Sequence, residues 1–76
     1  MVTAYLLINV ASGTETTVAN ALLKLREVKD VSVVYGEYDL ILKIELKTME
    51  SLQEFILNKI RTISDIKRTS TMIAVK

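Results

Sequence analysis

The sequence has no cysteine, no histidine, no proline and no tryptophan, and only two glycines in 76 residues. Each absence removes a class of chemistry. Without cysteine there is no disulfide framework and no thiolate nucleophile. Without histidine the usual general base, proton shuttle and commonest zinc ligand are gone. Gly13 and Gly36 stand too far apart for a G-x-G-x-x-G turn or a phosphate-cradling loop. Charge of one sign is also missing. Ten basic and nine acidic residues are spread along the chain, for a net charge of +1. With no basic block, direct nucleic-acid binding is not expected. The longest apolar run, Ala4–Ile8, is far short of the roughly 20 residues that span a bilayer. The N-terminus lacks the pattern of a signal peptide. A cytoplasmic protein without membrane association is the expectation.

Catalysis would have to rest on carboxylates, lysines, serines or tyrosines. Glu37 and Asp39 lie two apart, and paired carboxylates can divide acid and base roles when their environments differ. Nothing in the sequence suggests such a difference, so a solvated turn is the preferred reading. No catalytic residue, cofactor or metal site is assigned.

Half of the residues are hydrophobic, and mean hydropathy is +0.32. Residues 1–76 can form only a single domain, and a chain this short buries only about 60% of its unfolded surface. That much apolar surface has little interior to hide in, which predicts an oligomer.

Val2–Val10 reads as a strand apolar on both faces, with Val2, Ala4, Leu6, Ile8 and Val10 on one side and Thr3, Tyr5, Leu7 and Asn9 on the other. Ser12-Gly13-Thr14-Glu15 matches an S-x-x-E capping box. The spacing of Val18, Ala21, Leu22, Leu25 and Val28 predicts the helix that follows. Val31–Tyr35 reads as a second strand and Leu40–Leu46 as a third, with Leu40, Leu42, Ile44 and Leu46 on one face. Thr48 is the expected N-cap of a second helix, striped by Leu52, Phe55, Ile56, Ile60 and Ile63. Ser64–Lys76 closes the chain as a strand. The order β-α-β-β-α-β predicts an α+β, ferredoxin-like sandwich of the dimeric α/β-barrel type: a four-stranded antiparallel sheet with two helices on one face. The opposite face, carrying Tyr5, Leu7 and Ile41, is left bare and suits sheet-to-sheet dimerisation. The RNA recognition motif shares this fold class, but its stacking aromatics are absent: the two central-strand candidates offer one tyrosine between them.

Four features now occur in order: Gly36-Glu37-Tyr38-Asp39 (a G-x-x-D turn), the apolar Leu40–Leu46 run, "LQEFI" at Leu52–Ile56, and "TST" at Thr69–Thr71. Together they resemble the C-terminal effector-binding domain (RAM domain) of the Lrp/AsnC family of prokaryotic transcription regulators, across essentially the whole chain. The helix-turn-helix domain of the full-length regulators has no counterpart here, so the chain reads as a stand-alone version of the module. The resemblance implies dimers formed through the sheets, assembly into higher oligomers such as an octamer, and a small amino-acid effector bound between dimers near the G-x-x-D turn.

Residue chemistry is compatible with that. Gly36 would let a ligand approach the main chain. Asp39 could accept from an ammonium group, Thr69, Ser70 and Thr71 could donate to a carboxylate, and Tyr38 supplies an apolar wall with a polar tip. Each also has a plainer role. Gly36 can serve a turn that needs φ > 0, Asp39 can bond turn backbone, the threonines are ordinary strand formers, and Tyr38 can be a packing residue. The expectation is an amino-acid-sensing module, not an enzyme, that acts through its assembly state or by docking to a full-length Lrp/AsnC-type regulator. The alternatives are a small dimeric α/β-barrel enzyme and a purely structural oligomerisation domain.

Overall fold

The alternation in the first strand is realised residue by residue. Ala4, Leu6, Ile8 and Val10 are buried, while Tyr5 is exposed and Thr3, Leu7 and Asn9 are half-buried. In the computed structural model, which describes residues 1–76, this strand is β1 (Val2–Val10). It is followed by α1 (Glu15–Leu23), β2 (Val28–Val33), β3 (Leu40–Leu46), α2 (Met49–Phe55, continued by a π-helical turn over Ile56–Ile60) and β4 (Ile66–Ile73). The strands form one sheet in the order β2-β3-β1-β4, with every neighbouring pair antiparallel. This is the expected ferredoxin-like arrangement.

The core is a single cluster of 15 buried aliphatic and aromatic residues, with no buried polar residue. Val18, Ala19 and Leu22 of α1 and Leu52, Phe55 and Ile60 of the second helical segment join it. Both helices therefore cover the same face. Fully burying a Leu or Ile side chain contributes about 1.5–3 kcal/mol, and Leu6, Ile8, Leu40, Leu42 and Ile44 are all 0% exposed.

The first helix departs from expectation at both ends. Ser12 does not form a capping box. The N-cap is Thr14, whose side chain makes no cap bond; its Oγ1 donates instead to the Ala11 carbonyl at 2.6 Å. Gly13, at φ +85°, supplies the positive φ of a tight turn that ends just before the helix begins. At the other end α1 stops at Leu23, and Ala19 rather than Ala21 is buried. Val28 fits the helical spacing, yet it opens β2 opposite Ile44 and is buried there. Pairing of a β-branched residue in the sheet overrides helical periodicity. Thus β2 runs Val28–Val33 instead of Val31–Tyr35, and Tyr35 lies in the exposed turn.

The second helix begins as expected, with Thr48 Oγ1 accepting from Ser51 N at 3.0 Å. Its end was not foreseen. Arg61 N donates to the Ile56 carbonyl at 2.9 Å, a spacing of five residues. At about 100° per residue, a regular α-helix would bring Lys59 under Leu52 and Phe55. The wider π turn carries Lys59 out to solvent and keeps Ile60, 0% exposed, in the core where the apolar stripe expected it. The last strand, β4, spans Ile66–Ile73 rather than all of Ser64–Lys76.

The face away from the helices is bare. Leu7 pairs with Ile41, and Tyr5 with Lys43, across β1 and β3. On the other side of β1, Met72 stands opposite Tyr5 and Ser70 opposite Leu7. Tyr5 is 39% and Met72 59% exposed. No helix is long and apolar enough to cross a membrane.

Candidate functional site

The G-x-x-D turn joins β2 to β3 and is fixed from below by β1. Asp39 N donates to the Ile8 carbonyl at 2.9 Å, and Val34 N to the Asp39 carbonyl at 2.9 Å. Asp39 Oδ2 accepts from Val10 N at 2.9 Å and from Asn9 Nδ2 at 3.4 Å. Asn9 Nδ2 also donates to the Glu37 carbonyl at 2.9 Å. Asn9 therefore clamps the turn at two points, and Asp39 ties the start of β3 to the end of β1. The backbone role of Asp39 is real, and it engages one of the two carboxylate oxygens.

Gly36 sits at the exposed tip with φ +140°. A side chain there would meet open space, with nothing within 4 Å of a Cβ. The need for glycine is thus conformational, since an L-residue at this φ is strained. The same open space leaves the main chain approachable. Tyr38 is half-buried, and the Arg68 guanidinium lies 5.1 Å from its ring centroid, a cation–π contact.

The three hydroxyl residues of β4 do not act as one unit. Thr69 and Thr71 pair with Ile8 and Leu6 and so point to the helix side, whereas Ser70 pairs with Leu7 on the bare face. Strand β1 also separates β4 from β3. Thr69 and Leu40 both flank Ile8, two strand spacings or about 10 Å apart. Within one chain, Tyr38 and Asp39 meet Asn9 and Arg68; they do not meet the threonines.

Beside the turn is a cleft of about 310 Å³. Val33, Val34, Tyr35 and Asp39 form one wall, and Gly13, Glu15 and Thr16 at the start of α1 form the other. Glu15 Oε1 is shielded from solvent and has no hydrogen-bond partner. Two carboxylates, an apolar wall and exposed main chain can hold a small cationic or zwitterionic group. Sequence reasoning missed Glu15 because the capping box claimed it; its placement follows from the helix starting after Gly13. Asn9 and Arg68 were missed because their partners are remote in the chain.

Residues 3–76 match the model of the Lrp/AsnC ligand binding domain. The chain is 37% identical over 73 residues to the HTH-type transcriptional regulator FL11 of Pyrococcus furiosus, covering 96% of this chain and 48% of that protein. It thus spans about half the length of that relative. The crystal structure of FFRP-DM1 superimposes with a TM-score of 0.96 at 52% identity, covering 99% of this chain and 100% of that one. A Neisseria meningitidis transcriptional regulator, solved as a complex with L-Met, shares the fold with a TM-score of 0.91 at 17% identity, covering 99% of this chain and 50% of that one. Family and relatives are transcriptional regulators rather than enzymes. With this geometry and these matches, the chain belongs to the Lrp/AsnC ligand-binding domain family.

Proposed function

We propose that this domain senses a small amino acid at the Gly36–Asp39 turn and passes the signal through its assembly state, or by docking to a full-length regulator of the same family, to modulate transcription. Dimers form through the bare sheet face, and further assembly, such as to an octamer, brings turns of neighbouring dimers together. The observation that carries this reading is the cleft beside the turn, where the unpartnered Glu15 Oε1 shares the lining with Asp39. An α-amino acid offers an ammonium to those carboxylates, and its side chain meets Val33, Val34 and Tyr35. Its carboxylate needs donors, and Thr69, Ser70 and Thr71 of the same chain lie two strands away. A second protomer is then required to supply those hydroxyls, so the site is complete only in the oligomer. The family's description supports a ligand site, and the L-Met complex of a protein with the same fold supports an amino acid as that ligand.

Binding would stabilise the assembly that contains the site, by linkage. The test is thermal unfolding and light scattering with each of the twenty amino acids, on the parent and on Asp39→Asn. Asparagine keeps an oxygen for Val10 N but loses the charge. The expected result is that at least one amino acid raises Tm or particle mass in the parent, and that Asp39→Asn stays folded but does not respond. A response of equal size in Asp39→Asn would remove Asp39 from the site.

A further inference from the structure

We propose a second ligand site at the outer edge of β4, built for the phosphoryl group of a small phosphorylated metabolite. A cleft of about 400 Å³ opens there, lined by Arg61, Ile66, Lys67, Arg68 and Thr69. Three of the five lining residues are cations, and none is acidic. The chain as a whole has nearly balanced charge, ten basic residues against nine acidic, so this convergence is local. Like charges gathered at one cleft repel, and an anion with several oxygens relieves that repulsion.

The backbone is shaped for the same purpose. Asn9 pairs with Arg68 but Val10 pairs with Ile66, which leaves Lys67 as the extra residue of a β-bulge. A bulge in an edge strand re-aims a side chain and leaves main-chain groups unpaired. Beyond the bulge the ladder alternates. Ala74 N donates to the Thr3 carbonyl, and the register pairs Tyr5 with Met72, Leu7 with Ser70 and Asn9 with Arg68. Residues 68, 70 and 72 therefore turn their backbone groups toward β1, and Thr69 turns its N–H outward over the cleft. The Arg68 guanidinium reaches back across β1 to stack on Tyr38, so the side-chain cations left at the cleft are those of Arg61 and Lys67. A guanidinium group, an ammonium, an outward main-chain N–H and a hydroxyl suit a tetrahedral oxyanion better than a planar carboxylate.

The probe is sodium pyrophosphate, titrated into the full chain at ionic strength held constant with potassium chloride, with binding read by calorimetry and Tm. Saturable binding at one site per chain is expected. Arg61→Ser combined with Lys67→Ser should weaken it by about tenfold or more. Both residues are exposed, so the double variant should keep the parent Tm without ligand. Asp39→Asn should bind pyrophosphate as the parent does, which separates this site from the amino-acid site. Glucose 6-phosphate and AMP identify the source of the phosphoryl group, and saturable binding of either supports the proposal. It is overturned if pyrophosphate acts no more strongly than chloride at equal ionic strength, or if the double variant binds unchanged. Citrate binding tighter than pyrophosphate would overturn the phosphoryl assignment, as would binding of single-stranded oligonucleotide without binding of pyrophosphate.

Discussion

The two faces of the sheet are made by the same strands from alternate residues, yet they carry different chemistry. On the helix side, β1 and β3 present Ala4, Leu6, Ile8, Val10, Leu40, Leu42, Ile44 and Leu46, all buried. On the other side the same strands present Tyr5, Leu7 and Ile41 mixed with Thr3, Asn9, Lys43 and Glu45. The first face is closed within one chain and needs only shape. The second is half apolar and half polar, as the surface between two protein subunits is. Burial is thus concentrated on one face, and the proposed subunit contact lies on the other.

Substitutions on the two faces should separate these properties. The largest effect is expected at Leu42, which is 0% exposed at the centre of β3. Leu42→Ala should cost about 2–5 kcal/mol of unfolding free energy, measured by denaturant titration. Its neighbour Ile41 points to the other face. Ile41→Glu should leave the circular dichroism spectrum of the fold intact but weaken dimerisation by about 3 kcal/mol, or more than about 100-fold in Kd, by ultracentrifugation. If Ile41→Glu instead unfolds the chain at all concentrations and leaves no folded monomer, the division between the faces is not sharp. Asp39→Ala should lose about 2 kcal/mol, because Val10 N then lacks its charged acceptor. The smallest effect, about 1 kcal/mol, is expected for Thr48→Ala, which removes the cap of α2.

The faces were legible in the sequence because a period of two sets Ala4, Leu6, Ile8 and Val10 with Leu40, Leu42, Ile44 and Leu46 on one side, and mixes Tyr5, Leu7 and Ile41 with polar residues on the other. Residues that satisfy two periods were not legible. Val28 continues a helical stripe and also begins a strand, and only its pairing with Ile44 decides between them. Ile60 was expected in the apolar stripe and is buried, but the π turn that carries it there is announced by no local propensity. The G-x-x-D turn could be located from Gly36 and Asp39. Its support could not, because the bonds from Asn9 to Glu37 and Asp39 span 28 and 30 residues. Glu15 shows a different failure. A plausible local motif explained it fully, so nothing pointed to the cleft in which its oxygen is buried.

The most direct measurement is light scattering at micromolar concentration, with and without the panel of amino acids, on the parent chain. A dimer or larger particle without ligand, and a change in mass or Tm with at least one amino acid, is the expected result. A monomer at every concentration, with no amino acid altering mass or Tm, would contradict both the subunit contact on the bare face and the ligand site at the Gly36–Asp39 turn.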